Sequence, residues 1–209
     1  MSISLQLAPW IVLLAVAIYG AVHSWLASLG VKAWARRRYG ELAERLYRFA
    51  YNLFAVLTFL PVLALPALLP DRRIYSVPMP WALGLMGLQL MAVGALGAGL
   101  LQTGLWSFLG LKQLAGRREI GEDDQLVVSG LYRWVRHPLY TAGLVFLWAT
   151  PVMTRNLLSL YAGLSIYLIV GAMFEERKLL ATFGEAYALY RAKTPMLIPG
   201  LLIRGRSQA

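Results

Sequence analysis

From Ile74 to Leu111 the chain reads IYSVPMPWALGLMGLQLMAVGALGAGLLQTGLWSFLGL, without a single Asp, Glu, Lys or Arg. A helix rises 1.5 Å per residue, so roughly 20 such residues cross the ~30 Å hydrocarbon core of a bilayer. Four more charge-free runs cover residues 1–31, 49–70, 137–154 and 156–174. Each reaches the length of a membrane span, the run 137–154, with 18 residues, only near the lower limit. The expectation is an all-α polytopic membrane protein of five transmembrane helices. The 209 residues are 59% hydrophobic and 14% charged, with a mean hydropathy of +0.60, which excludes an ordinary water-soluble domain.

The formal charge of +10 would suggest nucleic acid in a soluble chain, but the basic residues lie between the apolar runs. Six fall in Lys32–Arg48, five in Lys112–Arg136 and six in Arg177–Arg206, against only Arg72, Arg73 and Arg155 in the other two connections. The positive-inside rule places the first three segments in the cytoplasm and the amino terminus outside, in what reads as a bacterial cytoplasmic membrane. The charge thus needs a bilayer as partner and no nucleic acid. The first run lacks a basic leader segment and a small-residue cleavage site, and is expected to stay as a helix, with Trp10 and Trp25 at the two interfaces.

Without cysteine there is no thiol nucleophile and no thiolate metal site, and two distant histidines, His23 and His137, cannot build a histidine-rich metal cluster. Metal chemistry is not expected. Glycines are dense from Gly84 to Gly104, but a phosphate-cradling turn needs a strand before it, so close helix packing is the expected use. No repeat or low-complexity linker divides the chain, which reads as one domain over 1–209, with three spans in 1–111 and the polar machinery in 112–199.

That machinery falls into two stretches. Leu131-Tyr132-Arg133-Trp134-Val135-Arg136-His137-Pro138-Leu139-Tyr140 opens span four, with Pro138 suited to the first position of the helix. The helix start, with Arg133 and Arg136, would attract an anionic group, or these residues serve as interface anchors and His137 as a cap. Phe174-Glu175-Glu176-Arg177-Lys178 closes span five, and adjacent carboxylates leaving an apolar helix are costly unless paired or hydrated. A tight hairpin between spans four and five should bring His137 and Tyr140 close to Glu175 and Glu176. Phe183-Gly184 reads as a helix stop. Glu185 to Lys193 then reads as a short amphipathic helix, with Tyr187 and Tyr190 either closing a cytoplasmic cofactor pocket or anchoring at the headgroups.

Arg136-His137-Pro138-Leu139-Tyr140, Ala142-Gly143, Glu175-Glu176 and Phe183-Gly184-Glu185-Ala186-Tyr187 with Tyr190 and Pro195 resemble the carboxyl-terminal signature of the integral-membrane methyltransferases. That superfamily includes isoprenylcysteine carboxyl and phospholipid methyltransferases. His23-Ser24, Tyr47-Arg48 with Tyr51-Asn52, Phe108 to Gln113 and Trp148 to Pro151 look like its bacterial methanethiol S-methyltransferase branch. The amino-terminal elements are also similar to denitrification-associated membrane proteins, which would imply a non-enzymatic role.

The resemblance implies S-adenosylmethionine as methyl donor. Gln125, Leu126 and Val127 would be backbone contacts, Tyr132, His137 and Tyr140 would surround the donor, and Glu175 would be a ligand. It implies a small or hydrophobic thiol as acceptor, methanethiol in the specific form, with a prenylcysteine carboxylate or a phospholipid amine as alternatives. The carboxyl-methylating branch carries an arginine one turn before the acidic pair; here Gly171 stands there. For a thiol acceptor, Arg136 would stabilise the thiolate or Glu176 would accept its proton.

Overall fold

The computed structural model describes residues 3–115 and 126–201. The chain is a helical membrane protein. Its elements are α1 (Ala8–Ala27), α2 (Leu29–Tyr39), α3 (Glu41–Leu68), β1 (Arg73–Ser76), α4 (Trp81–Gln102), the short α5 (Leu105–Phe108) and α6 (Leu111–Leu114), a 3-10 turn at Gly130–Arg133, α7 (Pro138–Trp148), β2 (Val152–Thr154) and α8 (Arg155–Lys193).

Among the described residues, four helices are long and apolar enough to cross a membrane: Ala8–Ala27, Arg45–Leu68 within α3, Trp81–Gln102 and α8. The run at 137–154 differs from expectation. It forms the 11-residue α7, about 16 Å long, which by length alone does not cross; Thr150-Pro151 follows its end, and a proline there cannot continue the helix. The first run is also divided: the Ser28 hydroxyl accepts from the Val31 amide at 3.3 Å and starts a new helix, α2. Gly40, at φ 55°, then separates α2 from α3, a conformation that costs glycine little. Helix α3 runs through Pro61 and Pro66 before ending at Leu68.

The chain gathers into two compact units. One holds residues 3–77, 104–115 and 152–167. In it α1 and α2 pack on α3, and β1 pairs antiparallel with β2, Arg73 opposite Thr154. The buried face of α1 is a stripe of Ala8, Val12, Val16 and Gly20 at helical spacing. The first part of α8 lies close to that stripe, since a Cβ built on Gly20 would stand 2.8 Å from Cδ2 of Tyr167, and one on Gly163 would stand 3.0 Å from Cγ1 of Val16. Asn156, fully buried, ties the turn before β1 to the start of α8: its side-chain amide donates to the Pro70 carbonyl at 3.2 Å, and its backbone N–H donates to Asp71 Oδ1 at 3.2 Å.

The other unit holds residues 78–103, 126–151 and 168–201. Its main contact is α4 against α7. The glycines of α4 serve it at one position only. A Cβ on Gly99 would meet Cδ2 of Leu139 at 2.7 Å, whereas Gly84, Gly87, Gly94 and Gly97 face open space. At the same end of α4, the Gln102 side-chain oxygen accepts from the Leu131 amide at 3.4 Å, and nearer its start Gln89 donates to the Phe146 carbonyl at 3.0 Å. Leucine and tryptophan side chains cover the outside of both units, Trp81 and Leu90 at 73% and 74% exposure, as a lipid-facing surface requires.

Candidate functional site

The site is assembled inside the second unit where α7 begins. Pro138 is the first residue of α7, as its missing N–H dictates, and His137 is the residue before it. His137 makes no side-chain cap; its carbonyl instead accepts from the Thr141 amide at 3.0 Å and the Thr141 hydroxyl at 3.1 Å. The imidazole is buried and lies parallel to the Tyr140 ring, with centroids 5.4 Å apart and planes 9° from parallel.

Glu175 and Glu176 leave the apolar part of α8 and meet this ring. Tyr140 Oη donates to Glu175 Oε2 at 2.8 Å, and His137 Nδ1 lies 3.7 Å from the same oxygen. His137 Nε2 lies 3.5 Å from Glu176 Oε1 and has no hydrogen-bond partner within normal range. The two acids have different surroundings. Glu175 is half exposed, while Glu176 is buried and gathered into cations: Arg136 Nε at 2.6 Å, Arg136 Nη2 at 2.5 Å and Arg191 Nε at 3.5 Å. A carboxylate can stay ionised at such burial because charge-assisted bonds replace its water.

Arg136 is spent in the same way. Its remaining nitrogen donates to the carbonyls of Arg191, at 3.1 Å, and Thr194. The backbone donors of Arg136 and His137 go to the carbonyls of Pro195 at 2.9 Å and Met196 at 3.1 Å, and the Thr141 hydroxyl to that of Leu197 at 2.7 Å. The chain after α8 therefore closes over the approach to α7.

Gly184 breaks α8 as the sequence predicts, at φ 54°, and the short helix after it folds onto this structure. Tyr190 Oη donates to the Tyr132 carbonyl at 2.5 Å. Tyr187 is 1% exposed, so it is a core residue and not a headgroup anchor, and its buried hydroxyl has no hydrogen-bond partner. Burial pushes the Tyr132 phenol up to about 12, with the Glu175 carboxylate adding to the effect, so it is neutral at ordinary pH. Arg133 stacks over Trp134 at 5.2 Å. Leu126 and Val127 are half-buried in irregular chain ahead of the 3-10 turn, and Gln125 lies outside the described residues.

Of the expected site residues, the fold thus joins Tyr132, Arg136, His137, Tyr140, Glu175 and Glu176. Sequence reasoning did not include Thr141, Arg191 or the Thr194–Leu197 carbonyls. Backbone acceptors carry no residue-type signal, and only Pro195, within the matched signature, pointed toward that segment.

Residues 83–186 match the phospholipid methyltransferase family. A methanethiol S-methyltransferase of a Pseudomonas species is 37% identical over 192 residues, covering 88% of this chain and 70% of that protein. One from Mycobacterium tuberculosis is 33% identical over 190 residues, 87% of this chain and 74% of that protein. A protein-S-isoprenylcysteine O-methyltransferase of Schizosaccharomyces pombe is 35% identical over 85 residues, 37% of this chain and 34% of that protein. No solved structure matches the chain. The chain belongs to this family of membrane methyltransferases, and it is an enzyme that takes a methyl group from a donor to a small-molecule acceptor.

Proposed function

We propose that the protein transfers a methyl group from S-adenosylmethionine to a small or hydrophobic thiol, with methanethiol giving dimethyl sulfide as the specific form. The convergence of His137, Tyr140 and Glu175 carries the donor assignment. Glu175, half exposed and oriented by the Tyr140 hydroxyl, suits an ammonium; the His137 imidazole, with Nδ1 3.7 Å from the same carboxylate oxygen, adds a polar edge; and the Tyr132, Tyr140 and Trp134 rings suit a base or a sulfonium. These residues therefore fit the donor, with Gln125, Leu126 and Val127 as further contacts along the preceding chain. Bound there, the donor supplies an electrophilic methyl group on a cationic sulfur.

The chain's own contribution is orientation and exclusion of water, since water opposes the loss of charge when a thiolate attacks a cation. Arg136 and Glu176 are assigned to positioning. Each already satisfies the other, and together they hold α7, α8 and the Thr194–Leu197 segment in register around His137. As a consequence, Glu176→Gln should lower stability while leaving the acid limb of the pH-rate profile where it is. A flattened limb would make Glu176 the proton acceptor instead.

The thiol acceptor is supported by similarity to the two methanethiol S-methyltransferases across most of the chain. A prenylcysteine carboxylate is disfavoured because Gly171 provides no cation before the acidic pair. The basic connections support a cytosolic site. The deciding experiment incubates the purified protein with methyl-labelled donor and ethanethiol, a prenylcysteine or a phospholipid amine. Label in the thioether alone is expected; label only in the carboxylate or the lipid overturns the thiol reading.

A further inference from the structure

Tyr132 reaches the donor site from a turn too short to hold itself. Gly130–Arg133 is a 3-10 segment of four residues, in which the Tyr132 amide donates to the Ser129 carbonyl and the Trp134 amide to the Leu131 carbonyl, both at 3.1 Å. Such a turn fixes more torsions than it makes bonds, so it persists only where other elements grip it.

Two side chains from distant elements of the same unit supply that grip. On one side stands the end of α4. The Gln102 side chain lies so close to Gly130 that a Cβ there would stand 2.2 Å from Nε2, and its Oε1 accepts from the Leu131 amide at 3.4 Å. Gly130 has φ 61° as well, so glycine is needed there for its backbone as much as for its size. On the other side stands Tyr190 of α8, whose Oη donates to the Tyr132 carbonyl at 2.5 Å. The Gln102 bond is long and exposed, whereas the Tyr190 bond is short and part-buried, so the second is the stronger hold. It also fills a need. The turn ends at Arg133, and the Arg136 amide, four residues after Tyr132, is committed to the Pro195 carbonyl, so the Tyr190 hydroxyl supplies the bond that a continuing helix would have given.

Tyr190 is itself fixed. Its ring meets that of Tyr187 edge to face at 6.0 Å, and Tyr187 is sealed in the core. Arg191, the next residue, lies 3.5 Å from Glu176, and the Tyr190 carbonyl accepts from the Thr194 amide at 3.0 Å, where the chain turns to cover Arg136 and His137. One segment, from the break at Gly184 to Met196, therefore touches both the Tyr132 turn and the surroundings of His137. At neutral pH a phenol keeps its proton and donates to a carbonyl. A phenylalanine fills nearly the same space and leaves that carbonyl without its donor.

We infer that Tyr190 is a positioning residue for the methyl donor: its hydroxyl fixes the Tyr132 carbonyl and so sets the Tyr132 ring within the donor site, with Gln102 holding the opposite side of the turn. This rests on the donor reading above and adds a residue that acts through another.

The test uses the full-length protein in lipid nanodiscs. Tyr190→Phe should weaken S-adenosylmethionine about tenfold in calorimetric titration, while kcat at saturating donor stays within about threefold of the parent. Gln89→Leu removes a side-chain bond to the Phe146 carbonyl elsewhere in the unit, and should leave donor affinity within about twofold. In a Tyr132→Leu background the ring to be positioned is gone, and Tyr190→Phe should then cost at most about twofold more. An equal tenfold loss with and without Tyr132, or the same loss in Gln89→Leu, makes Tyr190 merely structural and overturns the inference. As a readout without donor, the Tyr132 and Trp134 amides should exchange hydrogen about tenfold faster in Tyr190→Phe, with the Arg136 and His137 amides unchanged. Equal acceleration of both pairs, or of neither, also overturns it. If the wild type binds no S-adenosylmethionine, the donor reading fails by that result, while the exchange rates still decide whether Tyr190 holds the turn.

Discussion

Arg136 Nε donates to Glu176 Oε1 at 2.6 Å across 40 residues of sequence, and both side chains are more than nine-tenths buried. This pair joins the start of α7 to the far part of α8, and the same guanidinium reaches the carbonyls of Arg191 and Thr194. Removing one member leaves the other charged and unpaired where water is scarce. Arg136→Met or Glu176→Leu alone should therefore cost about 3–5 kcal/mol, and the double substitution distinctly less than the sum. Denaturation of the detergent-solubilised variants measures this, and a double variant as damaged as two independent losses would refute the coupling.

Donor binding should depend on Glu175 and its orienting phenol. Tyr140→Phe removes a hydrogen bond to the carboxylate and is expected to weaken donor affinity about tenfold. Glu175→Gln, which removes the charge, should weaken it on the order of 10- to 100-fold. Calorimetric titration with S-adenosylmethionine checks both, and unchanged affinity in Glu175→Gln would remove this residue from the donor site.

Close packing in α4 is concentrated at one residue. Gly99→Ala forces a methyl group against Leu139 and should cost about 1–3 kcal/mol, with Leu139→Ala recovering part of the loss. Gly94→Ala, where nothing stands within 4 Å, should stabilise the helix by ~0.5–1 kcal/mol. Comparing the two melting temperatures separates packing from helix propensity.

The raised Tyr132 phenol makes stability depend on alkaline pH. Between pH 10 and about 12 the unfolded chain has released this proton and the folded chain still holds it. Stability then falls as pH rises through that window. Tyr132→Phe should make the fall shallower by up to ~1 proton per molecule, read from Tm against pH. At neutral pH the same substitution should leave the pH-rate profile unchanged, because the phenol does not titrate there.

The clustering of the carboxyl-terminal polar residues was legible because their types are conspicuous in such a sequence: acids, arginines and an imidazole where an apolar run starts or stops. Span lengths were less legible. Absence of charge marks where a chain tolerates lipid, but 137–154 continues into an uncharged turn and a strand, so hydropathy overstated α7. The glycines of α4 look alike in sequence, and only the position of Leu139 distinguishes Gly99 from the rest. Tyr187 and Tyr190 share one local pattern, yet Tyr187 is a sealed core residue and Tyr190 bonds the Tyr132 carbonyl.

Sequence alone determined that the chain is helical and membrane-embedded, where its polar groups collect, and which residues resemble a methyl-donor site. Those properties follow from transfer free energies and from residue identity, which are local. Tertiary structure decided which charges neutralise one another, that Arg136 and Glu176 are bound to each other while Glu175 stays half exposed, and that the Tyr190 hydroxyl meets the Tyr132 carbonyl. Those outcomes depend on distances between helices far apart in the chain, and at such distances one ångström separates a hydrogen bond from an unsatisfied buried atom.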